Sequence, residues 1–284
     1  MTVLTDPAVE TRPDLPRLIA SDLDGTFLSP DGTVSDTNAE AVRLAARHGI
    51  PMVFATGRPI RWLAPIRDLD GLHPVVVASN GAMLYDADAD EIIEQVAIDP
   101  RVAGDVTSQV RGLLPDAAFA VEQGRRFGHE VAYTTWEDSG DDPAMFTADM
   151  PELLEAGPFI KLLIKSESMP SDELAAAVAD PIADRLTVTH SSFGDIGLLE
   201  ISAPGVSKAS MLAAYCRRLG IDPEQVAAFG DMPNDLEMLT WSGRPYVMAN
   251  AHPLLQRIGA SAAGDNADSG VGRTIIELLR RAGQ

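Results

Sequence analysis

The sequence predicts an α/β fold in which a doubly wound parallel sheet is interrupted by an inserted α/β domain. In the first third of the chain, short and wholly apolar runs alternate with helical patterns, which is typical of parallel strands covered on both faces. Between about Tyr85 and Gly197 the predicted strands become half-polar and the turns more frequent. The first pattern resumes near Ser207, so we interpret the middle of the chain as an insertion.

The core elements are predicted from apolar runs and from the residues that bound them. Ser35 caps a predicted helix that ends at Gly49, and Pro59 suits the first turn of the next helix. Lys208 opens a further helix, which ends at Gly220. The predicted core strands are 18–20, 52–55, 75–78, 226–229 and 246–248, and later helices pass through 236–239 and 274–281.

The insert is predicted to contain a sheet with one face against helices and one face open. The segment 159–165 alternates, which places Lys161, Leu163 and Lys165 together on one side. Two further segments behave in the same way: 186–190 and 198–202. The predicted organisation is a flexible tail over 1–16, a core made of 17–85 and 199–284, and the insert over 86–198.

Composition limits the partners that this chain can have. Its 284 residues carry a formal net charge of −20, which would repel nucleic acid and anionic membranes. No apolar run reaches the length of a membrane span, and the N-terminal segment lacks the features of a secretory signal. We therefore expect a soluble, cytoplasmic monomer or homodimer. The single cysteine, Cys216, lies in an apolar helical pattern and is predicted to be a buried thiol.

The segment DLDGT, which begins at Asp22, follows the first predicted strand, where α/β sheets bind their ligands. The carboxylates of Asp22 and Asp24 are close enough in sequence to repel each other, so such a site usually holds a cation. Gly25 allows the backbone to turn sharply. For this segment taken alone, a solvated Asp-Gly turn is the ordinary alternative.

Three further polar groups follow predicted strands or begin predicted helices: Thr56 with Gly57, Lys208, and Asp231 with Asn234 and Asp235. Each alone is explained as a turn, a solvated side chain or a helix cap. Together they suit Mg²⁺ and a phosphoryl group, because Mg²⁺ prefers oxygen ligands and phosphoryl transfer needs positioning and charge neutralisation.

The four groups resemble the motifs of the haloacid dehalogenase superfamily of aspartyl-phosphate phosphohydrolases over nearly the whole chain. The matching segments are DLDGT from Asp22, ATGR from Ala55, GVSK ending at Lys208 and GDMPND from Gly230. The insert, together with SNGA from Ser79, resembles subclass IIB, the Cof-type sugar-phosphatase branch. This resemblance implies a Rossmann-like core with an α/β cap. Ala249 departs from the family, which often has glycine there.

The resemblance implies a role for each matched residue. Asp22 would be the nucleophile and a metal ligand, and Asp24 would be the general acid/base, with its backbone carbonyl on the metal. Asp231 would be another metal ligand, and Asp235 would hold metal-bound water or Lys208. The implied phosphate-binding groups are the backbone of Leu23 and Gly57 with Thr56, Lys208 and Asn234, supported by Arg58 and Asn80.

Two groups in the insert are candidates for contact with a substrate. The segment GRRFGH from Gly124 fits either a hairpin tip that reaches the site or a solvated turn, and its candidates are Arg125, Arg126 and His129. Lys161 and Lys165 either point from the open sheet face towards the substrate or lie on a solvated face.

These features predict a magnesium-dependent phosphomonoester hydrolase that acts on a small phosphorylated metabolite, with a sugar phosphate as the expected substrate. An aspartyl phosphate on Asp22 would be the intermediate. A phosphomutase on the same scaffold is an alternative, and the sequence alone barely distinguishes it from a hydrolase. A phospho-signalling receiver uses similar groups, but it needs neither a large insert nor the acid/base Asp24.

Overall fold

The computed structural model describes residues 15–67, 69, 74–133, 143–189 and 196–281. Most of the predicted tail, 1–14, and His190 of one predicted strand lie outside the described residues. Contacts divide the chain into two compact units. The first unit consists of Met1–Ala55, Pro65–Val75 and Leu212–Gln284, and the second consists of Thr56–Ala64 and Val76–Met211. The predicted limits of tail, core and insert stay a prediction.

Strands and helices alternate along the described residues. The strands are β1 Leu18–Ser21, β2 Met52–Ala55, β3 Val75–Ala78, β4 Met83–Asp86, β5 Glu91–Gln95, β6 Ala118–Glu122, β7 Phe127–His129, β8 Met145–Thr147, β9 Lys161–Ser166, β10 Thr187–Thr189, β11 Gly197–Ser202, β12 Val226–Gly230, β13 Arg244–Val247 and β14 Ser261–Ala262. The α-helices are α1 Asp36–Arg47, α2 Ala64–Arg67, α3 Pro100–Leu113, α4 Met150–Glu155, α5 Ser171–Ala177, α6 Ala179–Ile182, α7 Lys208–Leu219, α8 Leu236–Trp241 and α9 Gly270–Arg281.

The first unit is built on a parallel sheet with the strand order β14–β13–β12–β1–β2. Strands β1, β2 and β12 are buried along their whole length, which explains why their sequences are apolar throughout. Because β1 and β12 are parallel neighbours, the residues that follow them lie at the same edge of the sheet. The predicted α/β class is confirmed.

Two helices of the first unit show how local sequence sets helix ends. Helix α1 begins as predicted, with Asn38 N–H donating to Ser35 Oγ at 3.2 Å. Helix α9 begins at Gly270, four residues before the predicted start of 274–281. This first turn was not predicted because it contains two glycines, which disfavour helix formation. Glycine is nevertheless required at Gly272, where a Cβ would lie 2.5 Å from Asn38 Oδ1.

The second unit contains a six-stranded sheet with the order β10–β11–β9–β6–β7–β8. Neighbouring strands in this sheet are antiparallel, except for the parallel pair of β7 and β8. Leu162 is fully buried on one face, as the alternation of 159–165 predicted, and Phe119 and Leu199 of the neighbouring strands are buried on the same face. The prediction of an open opposite face is wrong at Lys161 and Leu163, which are 3% and 9% exposed. Alternation assigns side chains to a face but does not reveal what covers that face.

Two remaining expectations concern burial and membranes. Cys216 is 1% exposed on α7, and burial raises the pKa of its thiol to about 11, which confirms the predicted buried thiol. Across the described ranges, we find no helix that combines the length and the apolar character needed to cross a membrane.

Asn38 is expected to be a stability determinant of the first unit. It is fully buried, donates to Phe27 O at 2.5 Å and accepts from Gly272 N–H at 2.8 Å. Asn38→Ala leaves both backbone groups without this partner and should lower the free energy of unfolding by about 3 kcal/mol in urea titrations. Glu40→Gln, on the exposed side of α1, is the control and should leave the midpoint unchanged. Equal midpoints for the two variants would contradict this role.

Candidate active site

Three buried carboxylates form what we call the carboxylate cluster of the first unit: Asp22, Asp231 and Asp235. Each residue offers one oxygen atom, and these atoms lie within 4.8 Å of one another. Asp22 directly follows β1, and Asp231 directly follows β12. Buried carboxylates repel each other, and oxygen donors suit a hard cation. The carboxylate cluster therefore fits a metal ion.

Hydrogen bonds orient two members of the cluster. Thr26 Oγ1 donates to Asp231 Oδ1 at 2.6 Å. Asp235 Oδ2 accepts from the backbone N–H groups of Asp231 and Met232, each at 3.0 Å. Sequence reasoning assigned no role to Thr26, although its position at the end of DLDGT was a usable signal.

The turn after β1 brings the backbone against the cluster. Phe27 N–H donates to Asp22 O at 3.3 Å across this turn. Gly25 has a φ of +73°, in the left-handed region that favours glycine. A Cβ at Gly25 would also overlap Asp231 Oδ2. Both backbone conformation and space therefore require glycine here.

A second loop supports this turn. Asn250 Nδ2 donates to Gly25 O at 2.8 Å, and Asn250 Oδ1 accepts from Asn266 N–H at 3.1 Å. Ala249 is accommodated next to it, with its N–H donating to Gly264 O at 3.3 Å. Sequence reasoning assigned no role to Asn250, because its partner is 225 residues away.

The other first-unit candidates lie outside the carboxylate cluster. The Asp24 residue is exposed, whereas Leu23 is fully buried. Asn234 is partly buried in the short turn Pro233–Asp235 before α8. The exposed Asp24 side chain is accessible from solvent, and the metal contact through its backbone carbonyl stays a prediction.

Thr56 and Gly57 belong to the second unit, together with Arg58 and Asn80. Thr56 is fully buried, and its Oγ1 accepts from Arg58 N–H at 3.0 Å. Its carbonyl oxygen accepts from Asn80 N–H at 2.9 Å. A Cβ at Gly57 would lie 3.2 Å from Asn80 Oδ1. The structure thus brings together residues from two separate sequence segments, ATGR and SNGA.

The loop Ser79–Gly81 also meets the start of α7 within the second unit. Ser79 and Asn80 have φ values of 53° and 57°, in the left-handed region. A Cβ at Gly81 would overlap Ser207 O. Lys208, the first residue of α7, is only 1% exposed. The predicted third motif therefore lies against the loop that carries Asn80.

The predicted hairpin is present, but its turn is shorter than GRRFGH. The turn between β6 and β7 is 123–126, and His129 is buried in β7, so placing His129 at the tip was wrong. Pairing of β7 with β6 draws this residue into the sheet. Arg125 is paired with Asp90 at 3.0 Å. The Arg126 guanidinium lies 4.3 Å from the ring centroid of Phe146. Substrate contacts of these residues stay predictions.

The two candidate lysines of β9 differ in their surroundings. Lys161 Nζ lies 2.9 Å from Glu200 Oε1 and donates to Gly57 O at 3.0 Å. The solvated alternative is therefore wrong for Lys161. Lys165 Nζ lies 3.6 Å from Glu167 Oε1, and its side chain is 15% exposed. The sequence did not indicate a role for Glu200, because most of the other residues of its strand, β11, are apolar.

A second buried ion pair joins Arg61 and Glu122, with 2.6 Å between Nη2 and Oε2. Glu122 Oε1 also accepts from Gly124 N–H at 2.7 Å. Burial raises the pKa of Glu122, and the charge of Arg61 opposes that rise. A glutamate at the end of the apolar strand β6 was the sequence signal for this pair, and it was missed.

Residues 19–275 match the haloacid dehalogenase-like hydrolase family. The match covers well over half of the chain, and the chain belongs to this family. The family predicted from the four motifs is therefore confirmed.

Known relatives agree with this assignment. An HMP-PP phosphatase from Cronobacter sakazakii is 27% identical over 84% of this chain and 86% of its own. A 5-amino-6-(5-phospho-D-ribitylamino)uracil phosphatase from Bacillus subtilis is 25% identical over 91% of this chain and 94% of its own. The solved structure of a subclass IIB sugar phosphatase shares the fold, with a TM-score of 0.75 and 18% identity over 92% of this chain and 98% of its own. The prediction of an enzyme, a phosphatase, is confirmed.

Two glycines with similar backbone conformations provide a matched test of the carboxylate cluster. Gly25 and Gly32 have φ values of +73° and +79°, but a Cβ at Gly32 would meet nothing within 4 Å. Both alanine variants should pay a similar backbone cost. Only Gly25→Ala should also displace Asp231, and if the cluster holds Mg²⁺, the ion predicted from the sequence, this variant should bind it about tenfold or more weakly, measured by calorimetry. Equal Mg²⁺ affinities for the two variants would show that Gly25 does not support the cluster.

Proposed function

We propose that this phosphatase hydrolyses a phosphomonoester of a small metabolite with Mg²⁺ at the carboxylate cluster. The supporting observation is the cluster itself, three buried carboxylates at one edge of a parallel sheet. Asp22, Asp231 and the backbone carbonyl of Asp24 are the proposed ligands, and Asp235 supports them. When bound, Mg²⁺ supplies positive charge that offsets the carboxylates and the phosphate.

Asp22 is the proposed nucleophile, and Asp24 is the proposed acid and base. A carboxylate oxygen of Asp22 bonds to phosphorus as the ester P–O bond breaks, and Asp24 gives its proton to the leaving alkoxide. Asp24 then takes a proton from water, whose oxygen attacks phosphorus. The bond between phosphorus and Asp22 breaks, and inorganic phosphate leaves. The exposure of Asp24 supports this role, since it must exchange protons with substrate and water.

Phosphate binding is proposed for the residues that the family resemblance assigns to it. The backbone of Leu23 and Gly57, the Thr56 hydroxyl, Lys208 and Asn234 are the proposed contacts, and Arg58 and Asn80 support them. Burial of Thr56 and Lys208 supports this assignment, because electrostatic interactions are stronger away from water.

A small phosphorylated metabolite is the proposed substrate class. The name of the Bacillus subtilis relative specifies a phosphorylated small molecule. A sugar phosphate is the proposed member of this class, following the resemblance of the insert and SNGA to the Cof-type branch. The test is a panel of phosphorylated metabolites with Mg²⁺ or with chelator, in which released inorganic phosphate is measured. Turnover that survives the chelator, or phosphate returned to the substrate, would contradict the proposal.

Asp22→Asn should lower turnover by more than about a thousandfold, because the amide keeps the size but loses the nucleophilic charge. The matched control is Asp105→Asn, which removes an exposed carboxylate of α3. The control should retain full turnover of the best substrate from the panel. Activity of Asp22→Asn within tenfold of the control would exclude Asp22 as the nucleophile.

Asp24→Asn should separate substrates by their leaving groups. A sugar alkoxide needs a proton to leave, so its cleavage should fall about 10²–10⁴-fold, the usual contribution of a general acid. p-Nitrophenolate leaves without protonation, so its first step should suffer much less. The second step still needs a base for water, so the phosphoenzyme should accumulate. Rapid-mixing experiments should therefore show a burst of p-nitrophenolate. Equal first-step losses for both esters and no burst would rule out Asp24 as the acid/base.

A further inference from the structure

The buried pair of Lys161 and Glu200 connects the six-stranded sheet to two loops of the second unit. Lys161 lies on β9 and Glu200 on the neighbouring β11, and their side chains are 3% and 16% exposed. A buried ion pair pays a large desolvation penalty and contributes little to stability by itself. Its further hydrogen bonds therefore indicate what the pair does.

Both partners use their remaining hydrogen-bonding capacity on loops that carry proposed phosphate-site residues. Lys161 Nζ donates to Gly57 O at 3.0 Å. Glu200 Oε2 accepts from Asn80 Nδ2 at 2.7 Å. Asn80 N–H in turn donates to Thr56 O at 2.9 Å. The ion pair thus contacts Gly57, which follows Thr56 in the sequence, and Asn80, which is hydrogen-bonded to the Thr56 carbonyl.

The peptide group that Lys161 contacts also donates a hydrogen bond to the Thr56 hydroxyl. The carbonyl of Gly57 and the N–H of Arg58 belong to the same planar peptide group. Lys161 holds the oxygen side of this group, and the opposite N–H donates to Thr56 Oγ1 at 3.0 Å. Because that hydroxyl oxygen already accepts a hydrogen bond, its own hydrogen is left to be donated elsewhere.

We propose that the ion pair of Lys161 and Glu200 is a positioning device that keeps the Thr56 hydroxyl oriented as a hydrogen-bond donor to the substrate phosphate. This inference rests on the proposed function. It gives Lys161 a role different from both sequence-based alternatives, which were contact with the substrate and a place on a solvated face. Lys161 acts through the peptide group of Gly57 and Arg58, with its own charge balanced by Glu200.

A double-mutant cycle on inorganic phosphate binding tests the inference. Calorimetry in Mg²⁺ measures the phosphate dissociation constant of Lys161→Met, Thr56→Val and the double variant. Lys161→Met should weaken phosphate binding about tenfold, as expected for loss of one hydrogen bond to a charged group. On the Thr56→Val background the same substitution should add less than about twofold, because the hydroxyl it orients is absent.

Two further variants keep the test decisive. Glu200→Gln keeps the shape but replaces one carboxylate oxygen with an NH₂ group, so it cannot keep both the Lys161 and the Asn80 contact. Because the loop is then held less firmly, this variant should also weaken phosphate binding and raise KM more than it lowers kcat. The control is Glu130→Gln, which removes the charge of another ion pair of this unit, between Arg111 and Glu130 at 2.5 Å. The control should bind phosphate like the wild type. If Lys161→Met fails to fold, Glu200→Gln and Glu200→Gln with Thr56→Val form the same cycle.

Three outcomes would overturn the inference. Equal losses on both Thr56 backgrounds would show that Lys161 does not act through the Thr56 hydroxyl. Unchanged phosphate affinity in folded Lys161→Met and Glu200→Gln would leave the pair a structural role only. Both results are compatible with the proposed function, provided that the wild type hydrolyses the panel. A wild type that neither binds phosphate nor hydrolyses phosphomonoesters would reject the proposed function and this inference together.

Discussion

Repulsion among three buried carboxylates, with oxygen atoms within 4.8 Å of one another, is the constraint on which the first unit depends. Tight turns at glycine residues and backbone hydrogen bonds hold these carboxylates together. Gly25 lets the turn after β1 approach Asp231, and a Cβ at Gly230 would lie 2.6 Å from the Cβ of Asp235. Backbone N–H groups then hold Asp235 from within its own turn. Under the proposed function, carboxylates that are already fixed need little reorganisation when the cation binds.

The second unit meets a different constraint, because it must hold an unusual backbone conformation at Ser79 and Asn80. Ser79 and Asn80 both lie in the left-handed region, where side chains other than glycine cost energy. The Asn80 side chain offsets this cost by donating to Thr189 Oγ1 at 3.1 Å and to Glu200 at 2.7 Å. The six-stranded sheet thus contributes to the loop 79–81 through Thr189 and Glu200. It stabilises the loop on which Thr56 and Gly57 rest.

The sequence predicted those candidate site residues that directly follow a recognisable buried strand. Asp22 and Asp231 could be placed because each follows an apolar run that forms a buried strand, and α/β sheets bind ligands at such ends. The sequence could not supply long-range partners. Asn250 supports Gly25 across 225 residues, and Glu200 meets Asn80 across 120. Alternation along β9 gave the correct face for Lys161 but no indication that a carboxylate covers its charge.

Two cations of the second unit, Lys161 and Arg61, are balanced by nearby carboxylates. The charges of Lys161 and Arg61 are each met by a glutamate at 2.9 and 2.6 Å, so neither attracts a distant phosphate strongly. The chain as a whole carries a net charge of −20, which opposes the approach of any anion. Under the proposed function, the bound metal ion supplies positive charge that offsets this repulsion. Binding of metal and binding of phosphate are therefore linked, since each lowers the electrostatic cost of the other.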